Sequence, residues 1–219
     1  MKSDDVAQYL SQHADFFEQH PELLGMLTVQ HPQNGQAISL IERQSILLRE
    51  RIRTLETKIT EMIRNGEEND ATADKLVQWS RAMLQQSSAA LLPDTLVTEL
   101  KRLFNVPYAA VRVWGASTAY AGLESTQPVS DDVLRLASSM QAPFCGSNVG
   151  FEVAHWMASD EKLIASLAML PLRIGSHSEA FGMLVLGSPD RDRFQITMGT
   201  SFLARIAELA SAAMSRLRA

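Results

Sequence analysis

The sequence predicts an α+β protein in which N-terminal helices, including a long coiled-coil helix, precede a domain with a central antiparallel sheet flanked by helices. Three observations carry this expectation. An apolar heptad runs across residues 38–62, strand-like patterning begins at Tyr108, and two apolar runs joined by a polar, glycine-containing connection precede a closing amphipathic helix. With 219 residues, 46% of them hydrophobic, the chain can bury one good core and still carry helical extensions. A net charge of −5 gives no chain-wide positive field for nucleic acid or an anionic membrane. Met1-Lys2-Ser3-Asp4-Asp5 has no apolar run behind it, no stretch could span a bilayer, and Cys145 is the only cysteine. A cytoplasmic, reducing location is expected.

Val6, Tyr9, Leu10, Ala14 and Phe17 fall at helical spacing behind Ser3 and Asp4, which can cap the helix. His20-Pro21-Glu22 restarts the pattern, and Leu23, Leu24 and Leu27 form a second apolar face before a turn at His31-Pro32-Gln33-Asn34-Gly35. Next comes the seam. Ile38, Ser45, Ile52 and Ile59 take a positions, and Ile41, Leu48, Leu55 and Met62 take d positions. β-branched residues at a with Leu at d favour a parallel two-stranded coiled coil, with Arg51 and Glu56 attracting each other across it. The alternative is an amphipathic helix packed on the chain's own core, although such a helix usually shows a wider apolar stripe. Asn65-Gly66 is expected to interrupt the helix, leaving 67–70 as an acidic joint. Residues 1–70 therefore read as a helical region with its coiled coil at about 36–64, and 71–219 as a second domain with its leading helix.

In that domain Leu76, Trp79, Met83, Leu84 and Leu91 resume a helical face, Pro93-Asp94 starts another helix, and 108–114 reads as a strand closed by Gly115. Residues 131–140 are helical, 163–173 and 180–187 strand-like, and a last helix begins near Thr197.

This order resembles a GAF domain, and Ser166-Leu167-Ala168-Met169-Leu170-Pro171-Leu172-Arg173 followed by Phe181-Gly182-Met183-Leu184-Val185-Leu186-Gly187-Ser188 looks like that family's final hairpin. The motifs 6–10, Asp15-Phe16-Phe17, His20-Pro21-Glu22-Leu23-Leu24, Ser39-Leu40-Ile41-Glu42-Arg43-Gln44 and Met198-Gly199-Thr200-Ser201-Phe202-Leu203 resemble the bacterial DUF484 family over essentially the whole chain. Ala14 and Gln30-His31-Pro32 depart from the family pattern. The resemblance implies a helical N-terminus, a GAF-like C-terminal domain and no established activity. Family members are often encoded beside a tyrosine recombinase of chromosome segregation, which makes an accessory role in recombination an alternative function.

By the same resemblance, a small-molecule cavity would lie between the sheet and residues 144–157. Phe144, Cys145, Phe151, His155, Trp156 and Met157 would line it, with Arg112 or Trp114 from the first strand. The other reading is that these residues simply fill the core. Cys145 with His155 is the one cysteine–histidine candidate for nucleophilic catalysis, but no signature of a cysteine enzyme surrounds it. The histidines lack metal-ligand spacing, and neither GxxxxGK[ST] nor GxGxxG occurs. Asp190 and Asp192 alternate with Arg191 and Arg193, which neutralise them as cation ligands. Arginines on the long helix are mixed with glutamates, the pattern of a coiled-coil exterior and not of a DNA-binding basic region. The expected protein is a non-enzymatic regulatory or scaffolding homodimer, binding a small ligand or a protein partner, with no catalytic residue, no metal and an unknown cofactor.

Overall fold

A computed structural model of the chain describes residues 2–13, 15–30, 37–157, 163–175, 179–195 and 200–218. The chain divides into two compact units, Met1–Asn69 and Asp70–Ala219.

The first unit opens with α1 (Ser3–Gln12), α2 (Phe16–Gln19) and α3 (Pro21–Met26). Lys2 caps α1 through its backbone N–H, which donates to the Asp5 carboxylate at 2.9 Å. Pro21 sits in the first turn of α3, where no helical N–H is lost. Tyr9 stacks on His13 at 4.2 Å and meets Phe16 edge-on, so the turn between α1 and α2 is held by ring contacts. Two short strands follow that periodicity did not reveal, β1 (Thr28–Gln30) and β2 (Ala37–Ser39), paired antiparallel. Ile38 therefore belongs to β2, opposite Val29, and not to the heptad. The turn expected at 31–35 lies outside the described residues.

The helix α4 runs from Leu40 to Gln85 without interruption. Asn65-Gly66 does not break it. A mid-helix glycine costs only about 1 kcal/mol, whereas ending and renucleating a helix forfeits several backbone bonds. Glu67 and Glu68 are good helix formers, and Arg64 pairs with Glu68 at 3.8 Å one turn on. Ile41, Leu48, Ile52, Leu55, Ile59 and Met62 are each at least 51% exposed.

In the second unit the C-terminal part of α4 turns Leu76, Trp79 and Met83 into the core. Leu84 and Leu91 do not join them; Leu84 is 83% exposed. Trp79 is fully buried, and its indole N–H donates to the Leu96 carbonyl at 3.0 Å, tying α4 to α5 (Leu92–Phe104). Pro93 opens α5 and Asn105 closes it in the left-handed conformation. The sheet comprises β3 (Tyr108–Val113), β4 (Phe144–Ser147), β5 (Ser166–Leu172) and β6 (Gly182–Ser188), in the order β3-β6-β5-β4, antiparallel throughout. All residues of the central strands β5 and β6 are buried, which is why they read as continuous apolar runs. One face packs on α4, α5 and α7 (Ser201–Met214) through Leu100, Val111, Leu184 and Ile206. The other packs on α6 (Asp131–Ser139) and the 3-10 turn Glu152–Trp156 through Val133, Val153, Met169 and Val185. Ser130 caps α6, its hydroxyl accepting from the Val133 N–H. The Arg173 guanidinium closes its other end, donating to the carbonyls of Ala137, Ser138 and Met140. The chain end is pinned back, with the Ser117 N–H donating to the Leu217 carbonyl at 2.9 Å.

Candidate functional site

Strand alternation decides first which expected pocket residues can meet. Phe144 and Cys145 are neighbours on β4 and point to opposite faces. Phe144 joins the α6 side, together with Trp114, Phe151, Trp156 and Met157. Cys145 joins the helical cluster on the far side, only 3% exposed, so it shares no cavity with the others. His155 is exposed on the turn Glu152–Trp156. Burial pushes the Cys145 thiol above its ordinary value, which keeps it protonated and a poor nucleophile near neutral pH.

On the α6 face the apolar residues fill the space between sheet and turn. Phe144 and Phe151 meet edge-to-face at 5.9 Å. Met157 lies flat over Gly187, where a Cβ would come within 3.1 Å of its terminal methyl. The Trp114 indole N–H donates to the Ala180 carbonyl at 2.7 Å, satisfying the one polar group that ring brings to the cluster.

Open space lies at both edges of the sheet, and beside β4 a cavity of about 630 Å³ is lined by Phe144, Gly146, Phe151, Arg191 and Phe194. β3 is an edge strand, so half of its backbone N–H and C=O groups point away from β6. Beside it a cleft of about 400 Å³ is bounded by 109–112 of β3, the first turns of α5, Glu124, Ser125 and Trp156. That volume is in the lower part of the range for small-molecule pockets, about 300–1,000 Å³. The Arg112 guanidinium stands 5.7 Å from the centre of the Trp156 ring, a cation–π contact that holds it at the cleft wall. Arg112, Asp94 and Glu124 all line the cleft, yet none forms an ion pair or side-chain hydrogen bond with another described residue. Ser125 is 8% exposed and its Oγ has no hydrogen-bond partner among the described residues. A buried unsatisfied hydroxyl costs roughly 1–3 kcal/mol, so this group is energetically conspicuous.

Of the expected pocket residues, Arg112 and Trp156 thus share this cleft, while Phe144 and Phe151 share the one beside β4. Asp94, Thr98, Glu124 and Ser125 escaped the sequence reading. Asp94 reads as a helix start, Glu124 and Ser125 fall in a stretch with no readable pattern, and nothing local tells a loop serine from a cleft serine. The Asp190–Arg193 loop turns out to be structural, with Arg193 donating to the Phe104 carbonyl at 2.9 Å. Among the described residues no three His, Cys, Asp or Glu side chains converge as a metal site, and no helix is long and apolar enough to cross a membrane.

Comparison with known proteins places the chain in a family. The model of the family described as "Protein of unknown function, DUF484" matches residues 1–218, so the chain belongs to that family. No curated protein matches significantly. Among solved structures, the chain is similar to the GAF domain of a putative sensor histidine kinase from Pseudomonas syringae pv. tomato, at 17% identity and a TM-score of 0.45, covering 70% of this chain and 91% of that one. It is also similar to the GAF domain of an Acinetobacter phosphoenolpyruvate-protein phosphotransferase, at 14% identity and a TM-score of 0.48, covering 66% and 92%. A third is free methionine-R-sulfoxide reductase from Neisseria meningitidis in complex with its substrate, at 15% identity and a TM-score of 0.46, covering 66% and 88%. Likenesses of this strength carry no ligand or activity across to this chain.

Proposed function

We propose that this DUF484 protein is a non-enzymatic regulatory protein, a homodimer joined along α4, whose sheet-bearing unit binds a small ligand. The observation that carries this reading is the row of six apolar seam side chains, Ile41 to Met62, at least half exposed on one stripe of the helix. Such a row is costly to leave in water, and a second copy of the same helix covers it at heptad spacing. Ser45 at an a position is exposed as well, which fits a small polar layer in the seam.

The second unit contributes a cleft with unpaired charges and not a nucleophile poised for reaction, since its one cysteine is a buried, protonated thiol. Binding at such a unit, reported through a dimer, requires two arrangements of the helices that the ligand distinguishes. Sedimentation equilibrium on the full chain and native mass spectrometry of freshly purified protein test the proposal together. A dimer is the expected mass, with a retained small adduct or an added ligand bound per chain. A monomer at tens of micromolar overturns the dimer, and steady turnover of any substrate overturns the non-enzymatic reading.

A further inference from the structure

The charges on the cleft beside β3 have an unusual arrangement. One cation, Arg112, and two carboxylates, Asp94 and Glu124, line the same cavity without an ion pair or side-chain hydrogen bond to one another or to any other described residue, Arg112 meeting only the Trp156 ring. A guest of a single sign would meet attraction on one wall and repulsion on the other. A guest with both signs a few ångströms apart satisfies both. The cleft also offers the Trp156 ring, the exposed Thr98 side chain and the free edge of β3. These are donors and acceptors for a small polar molecule with an apolar or flat portion.

We propose that this cleft binds a small zwitterion of the amino-acid class, its carboxylate held by Arg112 and its ammonium group by Asp94 and Glu124. Arg112 is suited to the carboxylate because its planar fork can donate two parallel hydrogen bonds, while Trp156 holds it in place. The inference rests on the reading that the second unit binds a ligand, and it is independent of the dimer.

The test uses the full chain, with the standard L-amino acids as probes in thermal-shift and calorimetric titrations. At least one is expected to bind and raise the melting temperature. Its N-acetyl derivative, which lacks the ammonium charge, and its amide, which lacks the carboxylate, should each bind about tenfold or more weakly. Arg112→Gln should weaken the free amino acid by a similar factor while leaving its amide unaffected, a split that a merely structural loss does not produce. Failure of every standard amino acid to bind overturns the inference, as does a binder whose amide binds equally well. If all amino acids fail while native mass spectrometry retains an adduct of another class, the ligand-binding reading stands and the zwitterion alone is refuted.

Discussion

Replacing Ile52 by Glu tests the seam where the heptad is most regular. Ile52 is 53% exposed in the single chain, so about half of its side chain is available to a partner. Full burial of an isoleucine stabilises by roughly 1.5–3 kcal/mol, so the exposed half is worth about 1 kcal/mol per protomer and about 2 for the pair. In a parallel dimer both glutamates would meet in one a layer, and desolvation with mutual repulsion adds at least roughly 2 kcal/mol more. The sum, about 4 kcal/mol, weakens association nearly a thousandfold at 1.4 kcal/mol per factor of ten. The lone chain should hardly notice, because the position is exposed and glutamate is a good helix former. Sedimentation equilibrium over a wide concentration range reads the effect, and the melting temperature of the second unit serves as the control. A variant whose dissociation constant stays within tenfold of the wild type would refute the seam as the interface.

Other perturbations follow from particular contacts. Gly66→Ala should stabilise the chain by about 0.5–1 kcal/mol, since α4 is continuous there and an added Cβ meets nothing within 4 Å; a loss of helicity by circular dichroism would restore the break at Asn65-Gly66. Arg173→Met should cost about 2 kcal/mol in urea unfolding, because it strips the donors from the last carbonyls of α6; an unchanged midpoint would show that solvent replaces them without loss. Burial raises the Cys145 thiol, so its contribution to stability is complete below the unfolded thiol's value and is lost as pH rises through and above that range. Cys145→Ala should flatten the decline in urea midpoint above that range, and the native thiol should resist iodoacetamide at pH 8; rapid alkylation of folded protein would contradict its burial.

The parts of the fold legible in the sequence are those where one force dominates over many residues. The β5–β6 pair reads as two apolar runs because both strands are buried on both faces, and α4 reads as a helix because its period persists for several turns. The failures have physical causes. β1 and β2 span three residues each, too few to show alternation, and Ile38 happens to lie three residues before Ile41, so heptad spacing absorbed a strand residue. The breaker at Asn65-Gly66 was weighed locally, whereas helix propagation is cooperative. Leu84 was placed inward on helical spacing that fits either side, and only packing shows that Leu76, Trp79 and Met83 take the core face. Cys145 and Phe144 are adjacent in sequence, but period two sends neighbours on a strand to opposite faces. The cleft itself is a tertiary convergence, its walls drawn from residues 93–98, 109–112, 124–125 and 156, and nothing short-range in the chain announces it.

The two faces of the sheet offer a ligand very different terms. An apolar guest entering between the sheet and the turn Glu152–Trp156 would have to displace Met157 from Gly187, giving up contacts already made at close-packed distances. Each displaced side chain would need a new apolar home or face water at roughly 1.5–3 kcal/mol, so such a guest must first offset the core it dislodges. The edge of β3 carries no such toll. Its free backbone groups and the charges of Asp94, Arg112 and Glu124, which form no ion pair with a described residue, are groups a guest can satisfy without displacing a packed side chain. Trp156 belongs to both settings, one of its faces meeting Arg112 while the ring packs with the α6 cluster. A ligand that draws on Arg112 therefore acts on a side chain that connects the wet edge to the packed face. Val111 and Val97 of the cleft wall belong to the opposite packing, so occupancy of the cleft touches side chains of both clusters.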